Sequence, residues 1–134
     1  MKIRVYIEVP TLAIIVFVLA YFVSGYFRFY AVAIASGSML PNIKVGDVVI
    51  IDQHKDYKDL KVGDVIAFKH KGLIMAHRVY DIVVVKDDYY FYTKGDANED
   101  KDNYTTHPED ILGEVNVKVP YIGLPTVWLN KLFE

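Results

Sequence analysis

Cysteine is absent from this 134-residue chain, which excludes disulfide bridges, thiol catalysis and cysteine-ligated metal sites. The chain also has no large excess of charge of either sign, because its 15 basic and 17 acidic residues give a formal net charge of -2 at pH 7. Without a basic stripe or a basic domain, the sequence gives no reason to expect a nucleic-acid partner. The chain is instead 53% hydrophobic, which is enough to bury the core of one domain of ordinary size.

One long apolar run without any charge extends over the 19 residues from Val9 to Phe27. As a helix this run measures roughly 28 Å, close to the hydrocarbon thickness of a bilayer. Its near end carries Lys2 and Arg4, so the positive-inside rule predicts a cytoplasmic N-terminus and an extracytoplasmic remainder of the chain. Aromatic residues crowd its far end, as at a membrane interface: Tyr21, Phe22, Tyr26, Phe27, Phe29 and Tyr30.

A cleaved leader peptide is the alternative interpretation of the same run, because Ala33-Ile34-Ala35 has the small-x-small form of a cleavage site. The run is longer than the ~7–15 apolar residues of such leaders, and the candidate cleavage site lies beyond it and past Arg28. We therefore predict a retained, single-pass membrane helix. Residues 1–28 would form the cytoplasmic N-terminus and the anchor, and residues 29–134 a β-rich domain.

After the apolar run, β-branched and apolar residues alternate with a period of two, which is typical of strands. Gly-Asp and lysine-rich turns separate six predicted strands: Tyr30–Ala35, Val48–Asp52, Val65–Lys69, Ile74–Val85, Tyr89–Thr93 and Ile111–Val119. Helical periodicity is weak there, except for a short amphipathic segment within 120–134. The predicted fold is therefore all-β, a small domain carried by one N-terminal transmembrane helix.

A candidate nucleophile lies just past the apolar run, in the turn Ser36-Gly37-Ser38-Met39-Leu40-Pro41. A serine at this point would meet a peptide bond that also lies at the membrane surface. Serine is a weak nucleophile at neutral pH, and it needs a base to take its proton and donors to hold the oxyanion that forms.

The candidate base is His77, which interrupts an apolar strand beside the small Ala76. The other three histidines lie in polar turns or loops: His54, His70 and His107. A base also needs an orienting carboxylate, and the acidic segment 95–110 supplies several. The residues by themselves do not rank these candidates, which are Asp96, Glu99, Asp100 and Asp102.

Four segments, in this order after an N-terminal apolar run, resemble the successive motifs of type I signal peptidases. They are Ser36–Pro41 with Gly46-Asp47, Gly63–Phe68, Ala76–Val79, and Lys94–Asp96 with Asp102. The likeness extends from the apolar run to about Val119. Bacterial members have lysine where His77 stands, so the histidine resembles the archaeal and endoplasmic-reticulum branch, which uses a Ser-His-Asp site.

The resemblance implies a role for each matching residue. Ser38 would be the nucleophile, His77 the general base and Asp102 the orienting acid, with Asp96 as a supporting acid. The family places an oxyanion-hole hydroxyl at Ser36, beside the backbone N–H of Ser38. Two neighbours are candidates for contact with substrate or membrane, or else for the core: Met39 and Leu40. The family pattern usually has other residues at three positions: Leu40, Asn42 and Ala97.

The implied function is a membrane-anchored serine endopeptidase that removes signal peptides from exported preproteins. Its partners would be these signal peptides, the lipid bilayer and, as a further candidate, the secretion translocon. The resemblance implies no metal and no cofactor. The sequence leaves open the preprotein repertoire, the oligomeric state, and glycosylation of the sequon at Asn103.

Other classes of function remain as alternatives. A non-catalytic β module that binds peptides or assembles with partners predicts that Ser38 and His77 are far apart or dispensable. A self-cleaving, repressor-type peptidase would need a partner lysine and a DNA-binding domain, and neither is evident in the sequence. Processing of pilin-like precursors usually relies on paired membrane aspartates, whereas the apolar run contains no acid.

Overall fold

Seven strands and two α-helices make up the computed structural model of the protein, which describes residues 2–23 and 28–132. The six predicted strands are all present, with ends shifted by two residues at most. The prediction was an all-β domain, and the structure confirms that the fold is mostly β. In chain order the elements are α1 (Lys2–Val23), β1 (Phe29–Ala33), β2 (Val48–Asp52), β3 (Val65–His70), β4 (Leu73–Val85), β5 (Asp88–Lys94), β6 (Thr105–Thr106), β7 (Ile111–Val119) and α2 (Leu124–Leu132). Short 3-10 turns lie at Tyr57–Asp59 and Pro108–Asp110.

The strands form a single antiparallel sheet in the order β1-β2-β7-β3-β4-β5-β6. The last strand in the sequence, β7, lies between β2 and β3. It therefore joins the part of the sheet that carries the Ser38 turn, after β1, to the part that carries His77, on β4. Residues far apart in the sequence meet at this junction.

Tight turns fix the register of the strands that carry the site. Two residues, Lys71 and Gly72, connect β3 to β4, and both have positive φ, at 50° and 80°. Such two-residue turns match the right-handed twist of the strands that they join. The hairpin pairs His77 with Ile66 and Ala76 with Ala67. The candidate base is thus set in the middle of a paired strand rather than at a free edge.

Buried apolar side chains form two clusters. The first comprises Ile34, Met39, Ile43, Val49, Ile51 and Ala67, and the second comprises Leu60, Ile66, Phe68, Val79 and Phe91. Met39 is 1% exposed and belongs to the first cluster, so of the two interpretations of this residue, contact with substrate or membrane and core, the burial favours the core. Burial of the residue directly after Ser38 fixes the serine turn onto the core.

The predicted anchor is covered only in part by the structure. Residues 24–27, which end the predicted span Val9–Phe27, lie outside the described residues. Within 2–23 and 28–132, no helix combines the length and the apolar character needed to cross a membrane. At the other end of the chain, α2 lies within the segment predicted to form a short helix. It packs against β1 and buries Val127.

Candidate active site

The Ser38 turn is held at both ends by backbone hydrogen bonds. Within the turn, the Leu40 N–H donates to the Gly37 carbonyl at 3.1 Å and the Ile43 N–H donates to the Met39 carbonyl at 2.9 Å. At the end of β1, the Ile34 N–H donates to the Asp47 carbonyl at 2.8 Å. The serine is therefore presented on a tight turn anchored to the sheet.

A second turn, formed by residues 95–98, closes on the serine from the acidic segment. The Ala97 N–H donates to the Ser38 carbonyl at 2.9 Å, and the Asn98 N–H donates to the Gly95 carbonyl at 3.0 Å. A Cβ added to Gly95 would lie 2.6 Å from the Ser38 carbonyl oxygen, so only glycine permits this approach. The segment that carries the candidate acids is thus tied directly to Ser38, the candidate nucleophile.

Ser38, His77 and Asp102 form a continuous chain of hydrogen bonds. His77 Nδ1 lies 2.7 Å from Asp102 Oδ2, and His77 Nε2 lies 3.1 Å from Ser38 Oγ. An ionised carboxylate only accepts, so Nδ1 carries the proton and Nε2 is left to accept the Ser38 hydroxyl proton. His77 is 3% exposed, and the edge-to-face ring of Phe68 packs against it. This arrangement has the geometry of a nucleophile, a base and an orienting acid.

Asp96 has partners different from those of Asp102. Its carboxylate accepts two hydrogen bonds from the Arg78 guanidinium, at 2.8 and 2.7 Å, and one from Asn42 Nδ2 at 2.7 Å. The hydrogen bonds from Arg78 lower the pKa of Asp96 below its usual 3.8, although burial acts in the opposite direction. Arg78 also donates to the Gly63 carbonyl at 2.7 Å. Asp96 thus supports the loop, and it is Asp102 that reaches the imidazole.

The candidate oxyanion hydroxyl lies next to the nucleophile. Ser36 Oγ is 3.2 Å from Ser38 Oγ, and with Ser38 donating to His77, Ser36 is left to donate to Ser38. Leu40 is 41% exposed and faces outward from the same turn, unlike Met39. The Leu40 side chain is therefore accessible to a substrate or a membrane, and its predicted contact with either stays a prediction.

A cavity of about 330 Å³ opens beside Ser38 and His77. The lining comprises residues 32–36 from the end of β1, residues 73–77 from the start of β4, and Ser38, Met39, Val49, Ile51 and Ala67. Several of these side chains are alanine, namely Ala33, Ala35, Ala67 and Ala76, and they leave room for a ligand next to the serine. The cavity is mostly apolar, which suits an extended peptide with small side chains.

The remaining candidates lie apart from this chain of hydrogen bonds. Glu99 and Asp100 are exposed. His70 stacks on the Tyr104 ring with centroids 3.7 Å apart, and His107 packs edge-on against Tyr90. Burial, followed by the charge of Asp102, raises the pKa of Tyr104 to about 12, so this phenol stays neutral beside the site. In the described part of the chain, no three histidine, aspartate or glutamate side chains group in a way that could hold a metal ion.

Sequence reasoning missed Thr93 and Gly95 as members of the site. Thr93 donates from Oγ1 to Asp102 Oδ2 at 2.6 Å. A threonine in a strand is ordinary, so no sequence signal marked it. Gly95 lies between Lys94 and Asp96 in one of the motifs quoted above, and this position in the motif could have indicated that it belongs to the site.

The family model of signal peptidase, peptidase S26, matches residues 6–104 of this chain. The match covers well over half of the 134 residues, so the chain belongs to the signal peptidase family, peptidase S26. The resemblance to type I signal peptidases of the archaeal and endoplasmic-reticulum type is thereby confirmed.

Curated relatives from both bacteria and fungi are similar to the chain. Signal peptidase I W of Bacillus subtilis is 34% identical over 92 residues, which cover 68% of this chain and 45% of that protein. The signal peptidase complex catalytic subunit SEC11 of Clavispora lusitaniae is 34% identical over 110 residues, covering 75% and 65%. The subunit of the same name from Komagataella phaffii is 32% identical over 115 residues, covering 75% and 66%. The chain thus spans between 45% and 66% of the length of these relatives.

Proposed function

We propose that this protein is a membrane-anchored serine endopeptidase that removes N-terminal signal peptides from exported preproteins after small residues. The observation that carries the proposal is the hydrogen-bonded chain from Ser38 through His77 to Asp102. Family membership and the names of the relatives support the same activity. A non-catalytic module gives no reason for Ser38 to lie within hydrogen-bond distance of the buried His77.

The proposed reaction begins when His77 Nε2 takes the Ser38 proton as Oγ attacks the carbonyl of the scissile bond. Asp102 holds the Nδ1 proton and stabilises the imidazolium without itself being protonated. The oxyanion of the tetrahedral intermediate would accept from Ser36 Oγ and the Ser38 backbone N–H. His77 then gives its proton to the leaving amine, and water hydrolyses the acyl-enzyme by the same route.

Specificity for small side chains is argued from the cavity beside Ser38. An extended peptide lying between residues 32–36 and 73–77 would direct alternate side chains toward the sheet. The alanines of the lining admit small substrate side chains, and we expect larger side chains to meet the packed core residues that also line the cavity, Val49 and Ile51. This steric filter accounts for cleavage after small residues.

Anchoring is proposed from the sequence of residues 1–28, with the catalytic domain, residues 29–134, on the extracytoplasmic side. Retention of this segment is supported by the sheet, because cleavage after Ala35 would remove β1, whose five residues pair with β2, and Ile34 from the core. Anchoring would place enzyme and signal peptide in one two-dimensional phase and raise their effective concentration. The partners would then be the preprotein, the bilayer and the secretion translocon.

Cleavage of a preprotein with an Ala-x-Ala site, in detergent or liposomes, tests the proposal. We expect product ending after the last alanine from the wild-type protein and none from Ser38→Ala, because the only proposed nucleophile is lost. N-terminal sequencing of the product identifies the bond. Equal cleavage by both proteins would exclude Ser38 as the nucleophile, and cleavage by neither would favour a non-catalytic module.

A further inference from the structure

Thr93, the penultimate residue of β5, holds Asp102 by two hydrogen bonds. Its hydroxyl Oγ1 donates to Asp102 Oδ2 at 2.6 Å, and its carbonyl accepts from the Asp102 N–H at 2.8 Å. The Thr93 side chain is fully buried, at 0% exposure. One residue of a paired strand therefore fixes both the backbone and the carboxylate of the candidate orienting acid.

Asp102 needs such a support because it lies outside regular structure. Residues 95–104 separate β5 from β6, and no strand or helix is formed between them. The terminal torsion of an aspartate is broad, so its carboxylate rotates easily unless its oxygens are bonded. The oxygen that accepts from Thr93 is also the one that accepts from His77 Nδ1. Two donors on Oδ2 define the rotation of the carboxylate relative to the imidazole.

Thr93 itself is held rigidly. It pairs with Val79, two residues beyond His77 on the neighbouring strand, so β4 carries the base and β5 carries the support for the acid. A β-branched side chain in a strand has a restricted χ1 torsion, which keeps the hydroxyl directed at one place. The distance between the imidazole and the carboxylate is thus set by the pairing of two adjacent strands.

We propose that Thr93 is a positioning residue for the proteolytic reaction, which fixes the Asp102 carboxylate so that its Oδ2 meets His77 Nδ1. This inference rests on the proposed function for its kinetic consequence. Its structural consequence, the state of the hydrogen bond between His77 and Asp102, is independent of turnover.

Thr93→Val tests the inference, because valine keeps the branch and the volume but removes the donor. We expect kcat for the preprotein to fall about tenfold with KM unchanged, since a hydrogen bond to a charged group is lost while the substrate cavity is untouched. Thr93→Ser restores the hydroxyl, and we expect it to recover most of the lost kcat. In the proton NMR spectrum, the low-field signal of the His77 Nδ1 proton should shift or broaden in Thr93→Val and return in Thr93→Ser.

Thr106→Val is the matched control. Thr106 lies on the adjoining strand β6 and is 2% exposed, and its buried hydroxyl has no hydrogen-bond partner among residues 2–23 and 28–132. Because an unpaired buried hydroxyl is costly, removing it should leave kcat at the wild-type value and leave Tm unchanged or raised. Both variants replace a buried threonine by valine, but only Thr93→Val removes a hydrogen bond to Asp102.

Several outcomes would overturn the inference. One is a kcat in Thr93→Val equal to that of the wild-type protein. Another is an equal loss of kcat in Thr93→Val and Thr93→Ser, accompanied by a lower Tm in both, since altered packing would then be the cause. If the wild-type protein itself shows no cleavage, the proposed function fails. The NMR comparison still tests whether Thr93 positions Asp102, because it does not depend on turnover. An unchanged Nδ1 proton signal in Thr93→Val would then show that Thr93 does not position Asp102.

Discussion

At the scale of single residues, Asp96 and Asp102 lie in one acidic loop but serve different partners. The two oxygens of Asp96 are taken up by Arg78 and Asn42. Asp102 accepts from His77 and Thr93 instead. A carboxylate neutralised by a bidentate guanidinium is a strong structural link but is not available to an imidazole. The two acids therefore differ in position: Asp96 holds the loop, and Asp102 contacts the imidazole of the candidate base.

Replacing each acid by its amide separates these roles. In Asp102→Asn we expect kcat/KM to fall by about 1000-fold or more, because the amide no longer holds His77 in the required tautomer. In Asp96→Asn we expect a loss of about tenfold or less, together with a lower Tm, because the ion pair with Arg78 is weakened. Preprotein cleavage and thermal unfolding of both variants measure this. A larger loss of rate in Asp96→Asn than in Asp102→Asn would reverse the assignment.

At the scale of elements, three turns assemble the site. The turn after β1 carries Ser38, and the hairpin between β3 and β4 fixes the position of His77. The turn at 95–98, after β5, donates a hydrogen bond from the Ala97 N–H to the Ser38 carbonyl. The last of these depends on a glycine at 95, since any side chain there would meet the Ser38 carbonyl and the Asn98 amide. The position of Ser38, the proposed nucleophile, is thus coupled to the loop that carries both acids.

Gly95→Ala tests this coupling. The added Cβ would meet the Ser38 carbonyl oxygen at 2.6 Å, so the turn must shift and take the serine with it. We expect a loss of kcat/KM of about 100-fold, as small misplacements of reacting groups produce. Gly63→Ala is the control: the residue lies outside these three turns and has a φ of 100° in open space, so alanine should cost ~1 kcal/mol of stability and leave kcat/KM unchanged. Wild-type kcat/KM in Gly95→Ala would contradict the coupling.

The strands could be predicted from the sequence because each has a period of two and is bounded by a recognisable turn. What the pattern could not give was the ranking of Asp96 against Asp102, since both are polar loop residues and only the path of the loop distinguishes them. The two-residue strand β6 was missed for a related reason, because Thr105–Thr106 is too short to show a period. The environment of Met39 was also undecided from the sequence, since an apolar residue next to an apolar, membrane-like segment can contact either lipid or the protein core.

At the scale of the whole molecule, the chain enters the sheet at a defined point. Arg28 donates from Nε and Nη2 to the Asp52 carboxylate, and the Gln53 N–H donates to the Arg28 carbonyl at 2.9 Å. The start of β1 is therefore tied to the end of β2 directly after the apolar run. The hydrogen bonds from Arg28 lower the pKa of Asp52, so the pair stays ionised at neutral pH.

The proposed topology can be tested with single cysteines, because the natural chain has none and gives no background. In intact cells or sealed vesicles of native orientation, a membrane-impermeant maleimide should label Lys61→Cys, in the exposed loop before β3, but not Lys2→Cys. Detergent should then expose Lys2→Cys to the same reagent, which controls for its reactivity. Labelling of Lys2→Cys alone would invert the orientation. Labelling of both in sealed vesicles would mean that the Val9–Phe27 run does not separate the two ends.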